Sequence, residues 1–140
     1  MLQRPTDESN PADWFELALD RLQAVRVLWQ QEGLTASGIE LLQEAVERYL
    51  KGFLIANGWR LVRTHDLEDL LHEAITRDAR FEPFRPLAKE LTEDFFAQHY
   101  PGEDLTSVGV NYETHLRLTD ELVNLIRECL PQHFPKPPAK

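Results

Sequence analysis

The sequence predicts an all-α protein, an antiparallel bundle of about five helices, four long and one short. Three observations predict it. Apolar residues recur at three- and four-residue steps through most of the chain, the spacing of one helical face. Cap and stop residues divide that pattern into five segments. No segment sustains the period-two alternation of a half-buried strand. Short connections between amphipathic helices make antiparallel packing the economical way to bury their apolar faces.

In chain order, residues 1–10 are polar and expected to form a flexible N-terminus. Asn10-Pro11 reads as an N-cap followed by proline at the first helical position. Trp14, Leu17, Ala18, Leu22, Val25, Leu28 and Trp29 then trace an apolar stripe over about 11–31, ended by Gly33. The second helix, about 36–57, carries Leu42, Val46, Tyr49, Leu50 and Phe53 on one face, and Asn57-Gly58 supplies the left-handed residue that commonly ends a helix. Glu44 to Arg48 and Glu47 to Lys51 are favourable pairs on it. Thr64 is the expected cap of a third helix, about 65–78, with Leu67, Leu70, Leu71, Ala74 and Ile75 inward. Pro83 and Pro86 stand near the start of a fourth, about 84–99, where proline is tolerated. Phe84, Leu87, Leu91 and Phe95 form its stripe and Tyr100-Pro101-Gly102 stops it. The fifth, about 111–130, carries Tyr112, Leu116, Leu122, Val123, Ile126 and Cys129, and Pro131 ends it. The expected organisation is a single helical domain over 11–130 followed by a flexible Pro-rich tail, 131–140, in which Pro135-Lys136-Pro137-Pro138 cannot extend a helix.

Composition narrows the function. The chain has 140 residues, enough for one domain with a genuine core, and a formal net charge of -9 from 15 Lys+Arg against 24 Asp+Glu. That excess disfavours broad binding to duplex DNA, where phosphate neutralisation dominates affinity, but leaves room for a small nucleotide or an RNA end at a local positive site. Cys129 is the only cysteine, so an intrachain disulfide is ruled out and a cysteine-based zinc site has no ligands. No apolar run approaches the roughly 18 residues of a membrane helix, and Met1-Leu2-Gln3-Arg4-Pro5 lacks the apolar centre of a signal peptide. The expectation is a cytoplasmic protein without membrane contact, cofactor or metal.

In so acidic a chain the basic connection Trp59-Arg60-Leu61-Val62-Arg63-Thr64-His65 stands out. It leads into a helix start, where free N–H groups and the helix dipole favour an anion. Arg60 and Arg63 can hydrogen-bond phosphate and Trp59 offers a face to a base. Asp66, Glu68 and Asp69, however, already place negative charge on that first turn, and the competing reading is a solvated loop whose arginines pair with neighbouring carboxylates. His65 before Asp66 could do acid–base work or simply pack the helix start. None of the remaining histidines, His72, His99, His115 and His133, joins a metal-ligand pattern. Cys129 lies on an apolar helix face and reads as core rather than nucleophile. Two arginine-to-histidine spacings bear on RNA cleavage, in which His moves a proton while Arg stabilises phosphate charge. Arg60 precedes His65 with four residues between, and Arg127 precedes His133 with five, but the first pair lies in a loop and the second straddles Pro131.

Val46-Glu47, Leu50-Lys51, then His65-Asp66-Leu67, then Tyr100-Pro101 occur in that order. With them the chain resembles the HEPN domain family (higher eukaryotes and prokaryotes nucleotide-binding), whose helix-two run is Val-Glu-x-x-Leu-Lys-like, whose third helix opens His-Asp-Leu and whose fourth often ends Arg-Tyr-Pro. Here His99 replaces that arginine. The resemblance spans about 12–130 and implies a helical bundle, commonly a homodimer. One group of the family comprises metal-independent toxin ribonucleases with Arg-x(4–6)-His on a late helix. The other resembles accessory partners of minimal nucleotidyltransferases in toxin–antitoxin-like systems, or nucleotide-binding modules. No such motif falls within the fifth helix before Pro131, which points to the non-catalytic group. The clustered positive connection in an acidic chain, together with the family pattern, points to Lys51, Arg60, Arg63 and His65, with His99 and Tyr100, as the residues near a bound nucleotide or RNA phosphate. A ribonuclease using Arg60 with His65 or Arg127 with His133 is one alternative. A helical dimer that contacts only protein is another.

Overall fold

The computed structural model describes residues 2–134. Five α-helices pack into one bundle, and no strand occurs among the described residues: α1 Pro11–Glu32, α2 Ala36–Ala56, α3 Leu67–Arg77, α4 Arg85–Ala97 and α5 Tyr112–Cys129. A 3₁₀ helix, Ala79–Phe84, precedes α4, and a second, Pro131–His133, follows α5. The Pro135–Pro138 stretch of the expected tail lies outside the described residues.

The α1–α2 hairpin is the frame. Asn10 caps α1 by accepting the N–H of Ala12, and Gly33, at φ 72°, returns its own N–H to Trp29. Thr35 then caps α2 through the N–H of Gly38. A connection this short forces the two helices antiparallel, and Phe15 accordingly meets Gly52 at the far end of the pair. The buried face of α1 is Phe15, Ala18, Leu22 and Val25, so the stripe is rotated from the expected one, with Trp14 and Leu17 at its half-buried margin. α2 touches each of the other four helices. Thirteen of its 21 residues are buried, and the polar Gln43, Glu47 and Lys51 are among them, while Ser37 and Glu40 face solvent.

Two boundaries differ from expectation for physical reasons. Asp66, not Thr64, caps α3, because its carboxylate accepts from both Glu68 and Asp69 N–H, while the Thr64 hydroxyl accepts from Asp66 one step earlier. The helix therefore starts at Leu67 and His65 stays outside it. The expected fourth helix splits, since Pro83 supplies no N–H and residues 79–84 take the tighter 3₁₀ path, capped by Asp78, before Pro86 opens α4. The 3₁₀ segment inserts Phe81 and Phe84 into the core, Phe81 lying 4.5 Å from the Phe53 ring.

The N-terminal residues, expected to be flexible, make a set of contacts. Arg4 pairs with Asp13, the Asp7 N–H donates to the same carboxylate, and the Trp14 indole donates to the Glu8 carbonyl. At the other end Phe134 stacks 4.5 Å from Phe15 and 6.5 Å from Tyr49, closing the space between α1, α2 and α5.

Candidate functional site

The residues around the basic connection are organised by α2. Gln43, Glu47 and Lys51 occupy successive turns of α2, on the side where the connection to α3 passes. Glu47 and Lys51 are 5% and 4% exposed. One Glu47 oxygen accepts from Lys51 Nζ at 3.0 Å and the other is 2.9 Å from His65 Nδ1. Gln43 Nε2 donates to the His65 carbonyl at 3.1 Å, so the connection is held at both backbone and side chain. Lys51 Nζ also stands 5.8 Å from the Trp14 ring centre, a cation–π contact supplied by α1. A buried carboxylate thus joins two of the candidate ligands, Lys51 and His65, to the interior. The rest of His65 faces solvent, its side chain 81% exposed.

The two arginines behave differently. Arg63 reaches Glu8 of the N-terminal segment at 2.9 Å, both groups exposed. Arg60 is exposed and makes no ion pair among the described residues. Trp59 is half-buried against the core, its backbone N–H donating to Leu54. The start of α3 is closed to anions by the Asp66 cap with Glu68 and Asp69 behind it.

His99 and Tyr100 are not with this group. Gln98, next to them, donates to the Ala36 carbonyl at the opposite end of α2, and the 15 residues from Ala36 to Lys51 span about 22 Å of helix. The six ligand candidates therefore divide into Lys51, Arg60, Arg63 and His65 at one end and His99 with Tyr100 at the other.

Arg127 and His133 are separated by the end of α5. Leu130 leaves helical geometry, and His133 closes the following 3₁₀ turn. Arg127 donates to Asn124 and lies 5.0 Å from the Phe134 ring, so its guanidinium is occupied by its own element and the aromatic plug. Cys129 is half-buried between Asp78 and Arg80, and burial pushes its thiol up, away from the reactive thiolate. Among the described residues no three of His, Cys, Asp and Glu gather as a metal site, and no helix is long and apolar enough to cross a membrane.

The sequence shows Glu47 as a helix pair with Lys51 and as part of the helix-two run, but not as a hub. The Glu47–Lys51 spacing was visible, but the contact to His65 crosses 18 residues and is created only by folding. Nor did it single out Asp13, buried and engaged by Arg4 and Asp7, or His115, buried in α5 at 3.6 Å from Glu90.

The family model described as the HEPN domain matches residues 11–129. No curated protein and no solved structure matches the chain.

Proposed function

The chain belongs to the HEPN domain family, and on that premise we propose that it is a non-catalytic member, a binding module that serves a minimal nucleotidyltransferase as its accessory partner. The observation that carries the reading is the position of Arg127 and His133. Cleavage of RNA without a metal needs an imidazole and a guanidinium converging on one phosphate. Here the arginine is engaged by Asn124 and Phe134 on α5, and the histidine lies beyond Pro131 on a separate turn. The other pair is no better arranged, since His65 Nδ1 is taken by a buried carboxylate and Arg60 sits in an extended connection.

A nucleotide is the ligand the exposed part of the basic stretch would favour. Arg60 is available to a phosphate, and Arg63 becomes so if it leaves Glu8, an exposed pair worth under about 1 kcal/mol. Lys51 would contribute only through its field, because its ammonium is already matched by Glu47. Self-association through a helix face is part of the proposal, and sedimentation at several concentrations measures it.

The test is direct. The expected outcome is that purified protein incubated with RNA in EDTA leaves the RNA intact, and that the protein co-purifies with a nucleotidyltransferase. RNA cleavage abolished by His133→Ala or His65→Ala would reverse the assignment in favour of a ribonuclease. Calorimetry with ATP, GTP and UTP examines the nucleotide component, which no heat at millimolar ligand would remove.

A further inference from the structure

The end of the bundle opposite the basic connection combines acidic charge with exposed apolar surface. From Glu90 to Leu116 there is neither lysine nor arginine, while six carboxylates fall there, so this stretch holds -6 of the formal -9. It also presents large apolar side chains to solvent: Phe96, Tyr100, Leu105 and Val110, with Tyr100 and Val110 74% and 77% exposed.

Contacts draw these residues to one end. The Phe96, His99 and Tyr100 rings adjoin, with centres 6.4 and 4.9 Å apart in succession. Gln98 ties the end of α4 to the start of α2. Gly109 lies against Leu34 so closely that a Cβ there would come within 2.6 Å of a Leu34 methyl, which brings exposed Leu34 beside Val110. The Gly109 N–H donates to Asp94, fastening the loop onto α4. Five of the seven large apolar side chains exposed among the described residues are thereby gathered here, the other two being Val27 and Val62. Apolar surface concentrated in this way marks an interaction face.

Charge decides what covers it. A second copy would set its own carboxylates against these, and like charges across an interface oppose association. Phosphodiester backbones and anionic lipid headgroups meet the same repulsion. A polypeptide segment with apolar residues on one side and Lys or Arg on the other satisfies both features.

We infer that this end of the bundle docks a basic amphipathic segment of a partner protein, with Phe96 and Tyr100 as its apolar anchors and Glu103 and Asp104 on its rim. Aromatic side chains dominate such contacts, and rim charges set their salt dependence. The inference rests on the accessory-module reading and names the face that reading would use.

The probe is a labelled amphipathic peptide of about five helical turns, Leu and Phe on one face and Lys on the other, titrated against the full chain by fluorescence anisotropy. The lysine peptide binds, and its glutamate counterpart, a single-stranded RNA and phosphatidylserine vesicles do not. F96A/Y100A weakens binding by about tenfold or more. E103Q/D104N weakens it about threefold and flattens the salt dependence. V62S and the acid-neutralising pair D20N/E121Q, all outside this stretch, leave it unchanged. Circular dichroism melts matching the parent protein certify that each variant is folded. Equal loss with V62S or D20N/E121Q, binding of the glutamate peptide, or preference for RNA or vesicles would overturn the inference. A co-purifying nucleotidyltransferase is the second arm. If the complex survives F96A/Y100A, the docking face is wrong while the accessory reading stands. If no enzyme co-purifies but the peptide still depends on Phe96 and Tyr100, the face stands and the accessory reading falls.

Discussion

Glu47 sits in the middle of the longest-buried helix with both carboxylate oxygens engaged, one by Lys51 and one by His65. Removing water from a charge costs several kcal/mol, and only a well-placed counter-charge offsets it. Glu47→Gln leaves the Lys51 ammonium buried without its counter-charge and is expected to destabilise the fold by about 3–5 kcal/mol in urea denaturation. Replacing both partners with apolar residues of similar volume, E47L/K51M, should recover most of that loss, because the desolvated charges go together. His65→Ala removes only the exposed end of the cluster and should cost under about 1 kcal/mol. A His65→Ala loss as large as that of Glu47→Gln would mean the imidazole, not the carboxylate, is the centre. The pairing explains the polar residues in the helix-two signature without invoking a ligand.

At the scale of elements, the close approach of α1 and α2 depends on a glycine in mid-helix. A Cβ at Gly52 would come 2.5 Å from the Phe15 ring. Alanine in a helix interior gains about 1 kcal/mol over glycine, yet overpacking costs about 1–3 kcal/mol. Since the neighbour is a ring wedged against Tyr49 and Phe134, the packing cost should win, and Gly52→Ala should lower the thermal midpoint. A raised midpoint would show that the hairpin can open without penalty. The N-terminal segment is a second element with its own stability. Arg4 and then the Asp7 N–H hold the Asp13 carboxyl below the usual carboxylate range. A carboxyl whose pKa is lower folded than unfolded contributes stability fully present above about 3.9, its unfolded value, and lost as pH falls through the folded value. The segment should therefore detach in acid below about pH 3.9, read by Trp14 emission in a W29F/W59F background. Asp13→Asn should erase that step. Emission that changes only with global unfolding would count against a separate N-terminal element.

At the scale of the whole molecule, the last described residue is part of the core. Phe134 stacks on Phe15 and Tyr49 and carries Arg127 on its other side. Phe134→Ala should cost about 2 kcal/mol, near half the value for a fully buried phenylalanine since this one is half-buried. It should also leave Arg127 free to turn. If RNA cleavage in EDTA emerged on that substitution, the plug would be restraining a ribonuclease pair, contrary to the function proposed above. The charge distribution belongs to this scale as well, with cationic groups at one end of α2 and the lysine- and arginine-free acidic stretch at the other.

Taken by itself, the sequence determined the helical class, the five segments and most of their ends. Helical periodicity and end signals such as Asn10, Gly33 and Gly58 act within a few residues, so local chemistry is sufficient to specify them. It also carried the family pattern and the charge excess. Only the tertiary structure decided that Asp66 rather than Thr64 starts α3, that residues 79–84 turn tightly ahead of α4, and that Phe15 rather than Trp14 faces inward. It alone divided the candidate ligands between two ends of one helix and bound Lys51 and His65 to a shared buried carboxylate. Those outcomes depend on contacts between residues far apart in the chain, whose geometry and burial exist only once the helices have packed.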